Sequence, residues 1–226
     1  MSMGTRIAAA ALGALIALSS GTGMAADVSA AVAANFTDAA NEIARAFAAK
    51  TGHRAVFSFG STGQLYTQIT QGAPFQVFLS ADQATAKKAV DDGNAVAGTQ
   101  FTYAVGKIVL FSKNATLVKG EDTLKTATFQ KLAIANPTAA PYGAAAVETM
   151  RKLGVYDAVA PKIVQGDNIT QTYQFVDTGN AELGFVALSQ VVNVQGGSRW
   201  IVADNQIGRA PSELQSRLHL VCRLLL

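Results

Sequence analysis

Residues 28–82 read VSAAVAANFTDAANEIARAFAAKTGHRAVFSFGSTGQLYTQITQGAPFQVFLSAD. They decide the fold, because one pattern runs through them three times. Val28 to Ala33 is an apolar run of strand length, and Ala34-Asn35-Phe36 is a loop. Thr37 to Lys50 carries Ala40, Ile43, Ala44 and Phe47 at helical spacing. Thr51-Gly52-His53 closes that helix, with Gly52 as the residue that takes the left-handed conformation. Arg54 to Phe59 is a second strand, Gly60-Ser61-Thr62-Gly63 a turn, and Gln64 to Thr70 a second helix stopped by Gly72 and Pro74. Gln76 to Leu79 is a short third strand, and Ser80-Ala81-Asp82 caps a third helix. This alternation predicts a parallel sheet with helices on its faces.

The same unit returns further along. Phe101 to Phe111 is a longer strand-like stretch that breaks the rhythm and offers a crossing into a second lobe. Phe129 to Leu132 leads into the strand Ala133-Ile134-Ala135, and a loop ending in Pro141-Tyr142-Gly143 precedes a helix from Ala144 to Leu153. Lys162-Ile163-Val164 is a strand, and Asp167-Asn168-Ile169-Thr170 leads into a helix through Val176. Leu183 to Leu188 is another buried strand. No residue-level repeat has a fixed period, so the reading is two similar lobes and not a solenoid.

The two ends differ from this core. Met1 to Arg6 is a short positive start, Ile7 to Ser20 an apolar run, and Gly21 to Ala26 a stretch that supplies small residues. That is the pattern of a secretory signal peptide over 1–26, cut after Ala26 or, with Gly23 at the −3 place, after Ala25. The apolar run is short of the roughly 20 residues a spanning helix needs. The expectation is a soluble, exported chain, periplasmic in a bacterium. Residues 208–226 have no preceding strand to complete. They read either as a short amphipathic terminal helix or, preferably, as out-of-frame or otherwise non-native sequence.

Composition excludes several classes. Half of the 226 residues are hydrophobic and 15% are charged, which is not the balance of a disordered chain. Arg6, Arg209, Arg217 and Arg223, set against Glu213, account for the net charge of +3, so residues 27–207 carry fourteen charges of each sign. There is no basic stripe for a nucleic acid. The single cysteine, Cys222, rules out a disulfide framework and a multi-thiolate zinc site, and His53 and His219 leave little for a histidine-based metal site or triad. Asp91-Asp92-Gly93 reads as a helix-ending turn, Lys87-Lys88 as a solvated helix face, and His53 as a solvated turn residue.

Four loops share one chemistry: Ala34-Asn35, Ser61-Thr62-Gly63, Tyr142-Gly143 and Asn168-Ile169-Thr170. Each follows a strand, precedes a helix, and offers neutral hydrogen-bonding groups without Lys or Arg. Helix N-termini present unpaired N–H donors and a partial positive charge, which suits an anion. Taken singly, each loop is an ordinary cap or turn. Taken together at corresponding strand ends they form a pattern, because ligands of open α/β sheets bind at the carboxyl ends of strands.

At these loops the sequence resembles the periplasmic molybdate-binding proteins of bacterial ABC importers. The resemblance rests on Ala33-Ala34-Asn35-Phe36-Thr37, Phe59-Gly60-Ser61-Thr62-Gly63-Gln64-Leu65-Tyr66, Gly72 through Asp82, Phe101 through Lys107, Ile134-Ala135-Asn136-Pro137, Ala140-Pro141-Tyr142-Gly143 and Gly179 through Leu188, and covers about residues 28–203. It implies an α/β, two-lobed periplasmic binding protein fold of type II. Each lobe is then a mainly parallel sheet flanked by helices, and the ligand lies in the cleft between lobes. Lobe 1 would be 27–106 plus the returning C-terminus, lobe 2 107–199, and 200–207 the start of the return, with 208–226 an aberrant tail. The ligand implied is molybdate or tungstate, with no cofactor, no catalysis and no direct protein ligand to the metal. Asn35 stands where the commoner form has serine, as in a recognised subgroup, and would donate through its amide and N–H. Thr62 matches the second-loop hydroxyl, Tyr142 and Ile169 match positions that give backbone N–H, and Ala34 and Ser61 are neighbours. Ala187 lies near a further contact of some relatives. The partner implied is the membrane permease of an ABC importer, and the chain itself would be a monomer. After Trp200, relatives continue with a further strand and helices that pack back on lobe 1, and here that segment is replaced.

Two alternatives stay open at this point. One is the same fold holding sulfate or another oxyanion. Hydrogen phosphate would want a buried carboxylate acceptor, and only Asp167 and Asp38 come near the loops. The other is an exported α/β hydrolase or transferase. That needs a general base, and His53 is the only histidine in the core, with no nucleophile elbow around Ser61.

Overall fold

The computed structural model describes residues 26–207 and 218–224. Apart from Ala26, the leader read at 1–26 lies outside the described residues, as do 208–217, 225 and 226 of the tail. From β1 (Asp27–Ala33) the chain passes through a 3-10 turn (Ala34–Phe36) into α1 (Thr37–Thr51), β2 (Arg54–Gly60), α2 (Thr62–Thr70), β3 (Val77–Ser80), α3 (Gln83–Asp91) and β4 (Phe101–Gly106). It continues as β5 (Ile108–Ser112), α4 (Asp122–Thr126), β6 (Leu132–Ala135), α5 (Pro141–Lys152), α6 (Tyr156–Val159), β7 (Ile163–Gly166), α7 (Ile169–Asp177), β8 (Leu183–Ala187), α8 (Leu188–Val191) and β9 (Ser198–Ile201). The last strand is β10 (Leu218–Leu224).

These strands make two five-stranded sheets of the same design. The first has order β2-β1-β3-β10-β4 and the second β7-β6-β8-β5-β9. In each, three parallel strands lie side by side, followed by a strand running against them. The 101–111 stretch is two strands, broken at Lys107, and the break carries the chain from one sheet to the other. Lys107 O and Ile108 O accept N–H bonds from Leu188 and Val202, which pins this crossing to the second lobe.

Local chemistry sets the helix ends. Gly52 ends α1 in the left-handed region at φ 74°, its N–H bonded to Ala48 O at 2.9 Å. The Asp82 carboxylate accepts Thr85 N–H at 2.6 Å and so starts α3. Asp92 and Gly93, the latter at φ 75°, end that helix, and Lys87–Asp91 and Lys88–Asp92 ion pairs line its wet face. Helices α2 and α5 begin earlier than apolar periodicity indicates. For α5 the reason is Pro141 at the first helical position, where its missing N–H and fixed φ are assets.

Burial departs from expectation along α1. Ala40 is buried, but Ile43 is 55% exposed. The helix touches its sheet along one line through Ala30, Val32 and Ala40, narrower than the stripe its sequence offers. The opposite face of that sheet is covered by α2 and α3 over Ala31, Leu65, Ile69, Phe78 and Ala89.

The tail also departs from expectation. The sequence of residues 218–224 offers no strand to complete. Instead they form β10, antiparallel between β3 and β4, with Cys222 opposite both Leu79 and Phe101 and a register shift between Leu220 and Val221. The physical reason is that a sheet ladder is made of backbone groups. A gap between two strands leaves two rows of N–H and C=O unpaired, and an extended segment can satisfy both with no sequence match to the strands beside it.

Candidate functional site

The carboxyl ends of strands from both sheets meet at one cleft. In the first lobe β1 delivers Ala33, Ala34 and Asn35, β2 delivers Gly60, Ser61 and Thr62, and β3 delivers Ala81; in the second, Ala140, Pro141 and Tyr142 follow β6 and Ile169 follows β7. The cleft holds about 200 Å³ of empty space, its open mouth included. All six residues singled out from the sequence (Ala34, Asn35, Ser61, Thr62, Tyr142 and Ile169) line it. Lys, Arg, His, Asp and Glu are absent from the lining.

Each polar group has a definite state. The Ser61 hydroxyl is buried, with the residue 3% exposed, and has no hydrogen-bond partner. An orphaned buried hydroxyl is unfavourable unless something else fills its place. Thr62 Oγ1 accepts Ala81 N–H at 3.0 Å. That occupies an oxygen lone pair and leaves the hydroxyl proton free to be given to a ligand.

The second lobe offers backbone. In α5, Gly143 and Ala144 N–H bond Ala140 O at 2.9 and 3.1 Å and Pro141 has no N–H, so the N–H of Tyr142 is the one left over in the first turn. In α7 the Asn168 side chain accepts Thr170 and Gln171 N–H at 3.0 and 3.1 Å, which leaves Ile169 N–H uncapped. The beginnings of α2, α5 and α7 thus turn partial positive charge toward one point. The Tyr142 phenol is buried, and burial pushes its ionisation far above the ordinary range, with the Asn35 side chain nearby acting in the opposite direction. Tyr142 is therefore a neutral group near Asn35.

The lobes bond to one another around this point. Gly63 N–H donates to Ala139 O at 2.8 Å, Thr170 Oγ1 to Ala34 O at 3.3 Å, and Ser189 Oγ to Asn35 O at 2.8 Å. Gly63 sits close to the other lobe, and a Cβ on it would be crowded at 3.0 Å from Ala139 O. Gly143 is under a stronger constraint, because a Cβ there would fall 2.1 Å from Ala135 O.

Sequence reasoning missed Ala81, whose N–H polarises Thr62. Ser80-Ala81-Asp82 has the pattern of a cap for α3, and nothing there signals that the third strand end turns inward. It also missed Ser189. Ala187 does not line the cleft, and its N–H is taken by Gln190 Oε1 at 2.9 Å. His53 accepts Ala26 N–H at 3.1 Å, away from the cleft. Among the described residues no group of three His, Cys, Asp or Glu side chains could hold a metal ion, and no helix is long and apolar enough to cross a membrane.

The chain is similar to known proteins in sequence and fold. The family model of bacterial extracellular solute-binding proteins matches residues 28–215. The molybdate-binding protein ModA of Rhodobacter capsulatus is 56% identical over 178 residues, which is 79% of this chain and 71% of that protein. The ModA of Azotobacter vinelandii is 53% identical over 182 residues, covering 79% and 72%. The solved structure of an Azotobacter vinelandii periplasmic molybdate-binding protein superposes with a TM-score of 0.81 at 34% identity, over 88% of this chain and 85% of that one.

Proposed function

The chain belongs to the bacterial extracellular solute-binding proteins, in the family of the ModA molybdate-binding proteins, and from that premise we propose that it captures molybdate, and tungstate with it, outside the cytoplasm and hands it to the membrane permease of an ABC importer. It acts as a monomer, and the oxyanion is cargo, so no bond is made or broken. The observation that carries the reading is the buried, unpartnered Ser61 hydroxyl in a cleft whose other offerings are also neutral donors.

A fully deprotonated tetrahedral oxyanion accepts hydrogen bonds through every oxygen and donates none. It suits Ser61 and Thr62 hydroxyls, the Asn35 amide and the N–H groups of Tyr142 and Ile169, with Ala34 as close packing. Hydrogen phosphate brings a proton that needs an acceptor, and no carboxylate lines the cleft. Sulfate has the right charge but is smaller, so a cage fixed by close interlobe contacts would leave some donors out of reach. In a site without water to fill the gap, an unmade bond to a charged ligand weakens binding by about 1.5–3 kcal/mol.

Calorimetry of the chain with molybdate, tungstate, sulfate and phosphate tests this. Molybdate and tungstate should give saturable one-to-one binding, with sulfate and phosphate markedly weaker. Equal affinity for sulfate would remove the molybdate assignment and leave an oxyanion receptor of other specificity.

A further inference from the structure

Three consecutive residues of α8 reach three different parts of the site. Leu188 N–H bonds Lys107 O at 2.9 Å, at the strand break where the chain crosses between lobes. Ser189 Oγ donates to Asn35 O at 2.8 Å, across the cleft. Gln190 Nε2 donates to Ile169 O at 3.1 Å, behind a proposed N–H donor of the second lobe. None of the three lines the cleft itself.

The Ser189 bond is the informative one. Asn35 sits in a 3-10 turn with no side-chain cap at its start, and this turn belongs to the first lobe. Its neighbouring carbonyl, Ala34 O, has a first-lobe partner in Thr37 Oγ1 at 2.8 Å and takes Thr170 Oγ1 of the second lobe only at 3.3 Å. Asn35 O is gripped from the second lobe, and the Asn35 side chain shares the cleft with Tyr142 of the same lobe. The backbone of Asn35 is thus held by a group that reaches it only when the lobes are together. Because Ser189 is itself an exposed residue, it can be changed without opening a core cavity.

We propose that Ser189 is a positioning residue for the anion site: its hydroxyl, held on the helix that is tied to the interlobe crossing, fixes the Asn35 turn of the opposite lobe and so slows release of the bound oxyanion. This rests on the molybdate reading above. Open lobes cannot make the bond, so it adds nothing to the encounter with the anion and acts on the closed complex alone.

The test uses the whole chain and three forms of it: wild type, Ser189→Ala and Ser189→Thr. Calorimetry gives molybdate affinity, rapid filtration gives release of radiolabelled molybdate, and thermal melting without molybdate reports the fold. Ser189→Ala should release molybdate about 3- to 10-fold faster, the range of one neutral hydrogen bond. Its association rate and its melting temperature should stay at the wild-type values, and Ser189→Thr should restore slow release. A wild-type release rate in Ser189→Ala overturns the proposal while leaving the molybdate reading intact. So does a loss shared with the melting temperature and not rescued by threonine, since that is a structural role. A wild-type chain that binds no molybdate overturns both.

Discussion

The two lobes share one strand plan yet bury their strands unequally. Interior strand β6 of the second lobe is buried at all four residues, and β5 and β8 at all five, whereas its counterpart β1 in the first lobe is buried at only four of seven. Helix α5 buries seven of its twelve residues, and α1 buries Ala40 alone of fifteen. Among the described side chains, the large apolar ones left exposed on the first sheet, Val56, Phe59, Phe101 and Val105, lie on its edge strands β2 and β4. A binding site at strand ends asks only that the ends be placed. It does not ask that the sheets behind them be equally well covered.

The largest effect that could break this contrast is in the cores. Phe185→Ala, at a fully buried position in β8, should destabilise the chain by about 3–5 kcal/mol. Phe59→Ala, at a residue 39% exposed in β2, should fall near 1 kcal/mol or below. Denaturant titration of both variants measures the difference. Equal losses would mean that the first lobe is covered by something beyond the described residues.

Next in size is a contrast in donors. On the proposed reading the first lobe would give side chains, Asn35, Ser61 and Thr62, and the second backbone N–H from Tyr142 and Ile169. Thr62→Ala and Asn35→Ala should each weaken molybdate binding by about 1.5–3 kcal/mol. Asn35→Ser should keep much of the affinity. Ile169→Val, which leaves its N–H in place, should lose little. Calorimetry on the set would sharpen the contrast, and a large loss from Ile169→Val would break it.

Much of this was legible because it is local. Strand-length apolar runs, Gly52 as a helix end, Asp82 as a cap and the four neutral loops are each written in a few neighbouring residues. What escaped depends on the other lobe or on backbone alone. Ala81 N–H meets Thr62 from nineteen residues away, and Ser189 meets Asn35 from 154. Spacing says nothing about either. Strand β10 escaped because ladder pairing leaves so weak a mark on side-chain identity.

Tyr142 is where the two kinds of donor touch. If its N–H alone served the anion, Tyr142→Phe would be silent. The phenol, however, lies beside the Asn35 side chain of the opposite lobe. Removing that oxygen should therefore weaken molybdate binding by about 0.5–1.5 kcal/mol through Asn35, less than Asn35→Ala itself. The double variant with Asn35→Ala should lose no more than Asn35→Ala alone. Fully additive losses would show that the phenol acts on the anion independently of Asn35.

The smallest effect expected is that of pH and salt. Tyr142 is the one titratable residue in the lining, and burial drives its ionisation far upward. The sign follows directly: a phenolate beside the anion would repel it, so affinity falls only when pH passes the raised value, above the ordinary tyrosine range near 10. From about pH 6 to 9 the affinity should be flat. Salt should matter little for a related reason. With Lys and Arg absent from the lining, the attraction comes from hydroxyls, amides and helix ends in contact with the anion, and contacts inside a closed cleft lie well within a screening length of about 8–10 Å. Calorimetry at low and physiological ionic strength checks it. A steep loss with salt would put a long-range cationic field on one lobe, and the two lobes would then differ in charge as well as in core.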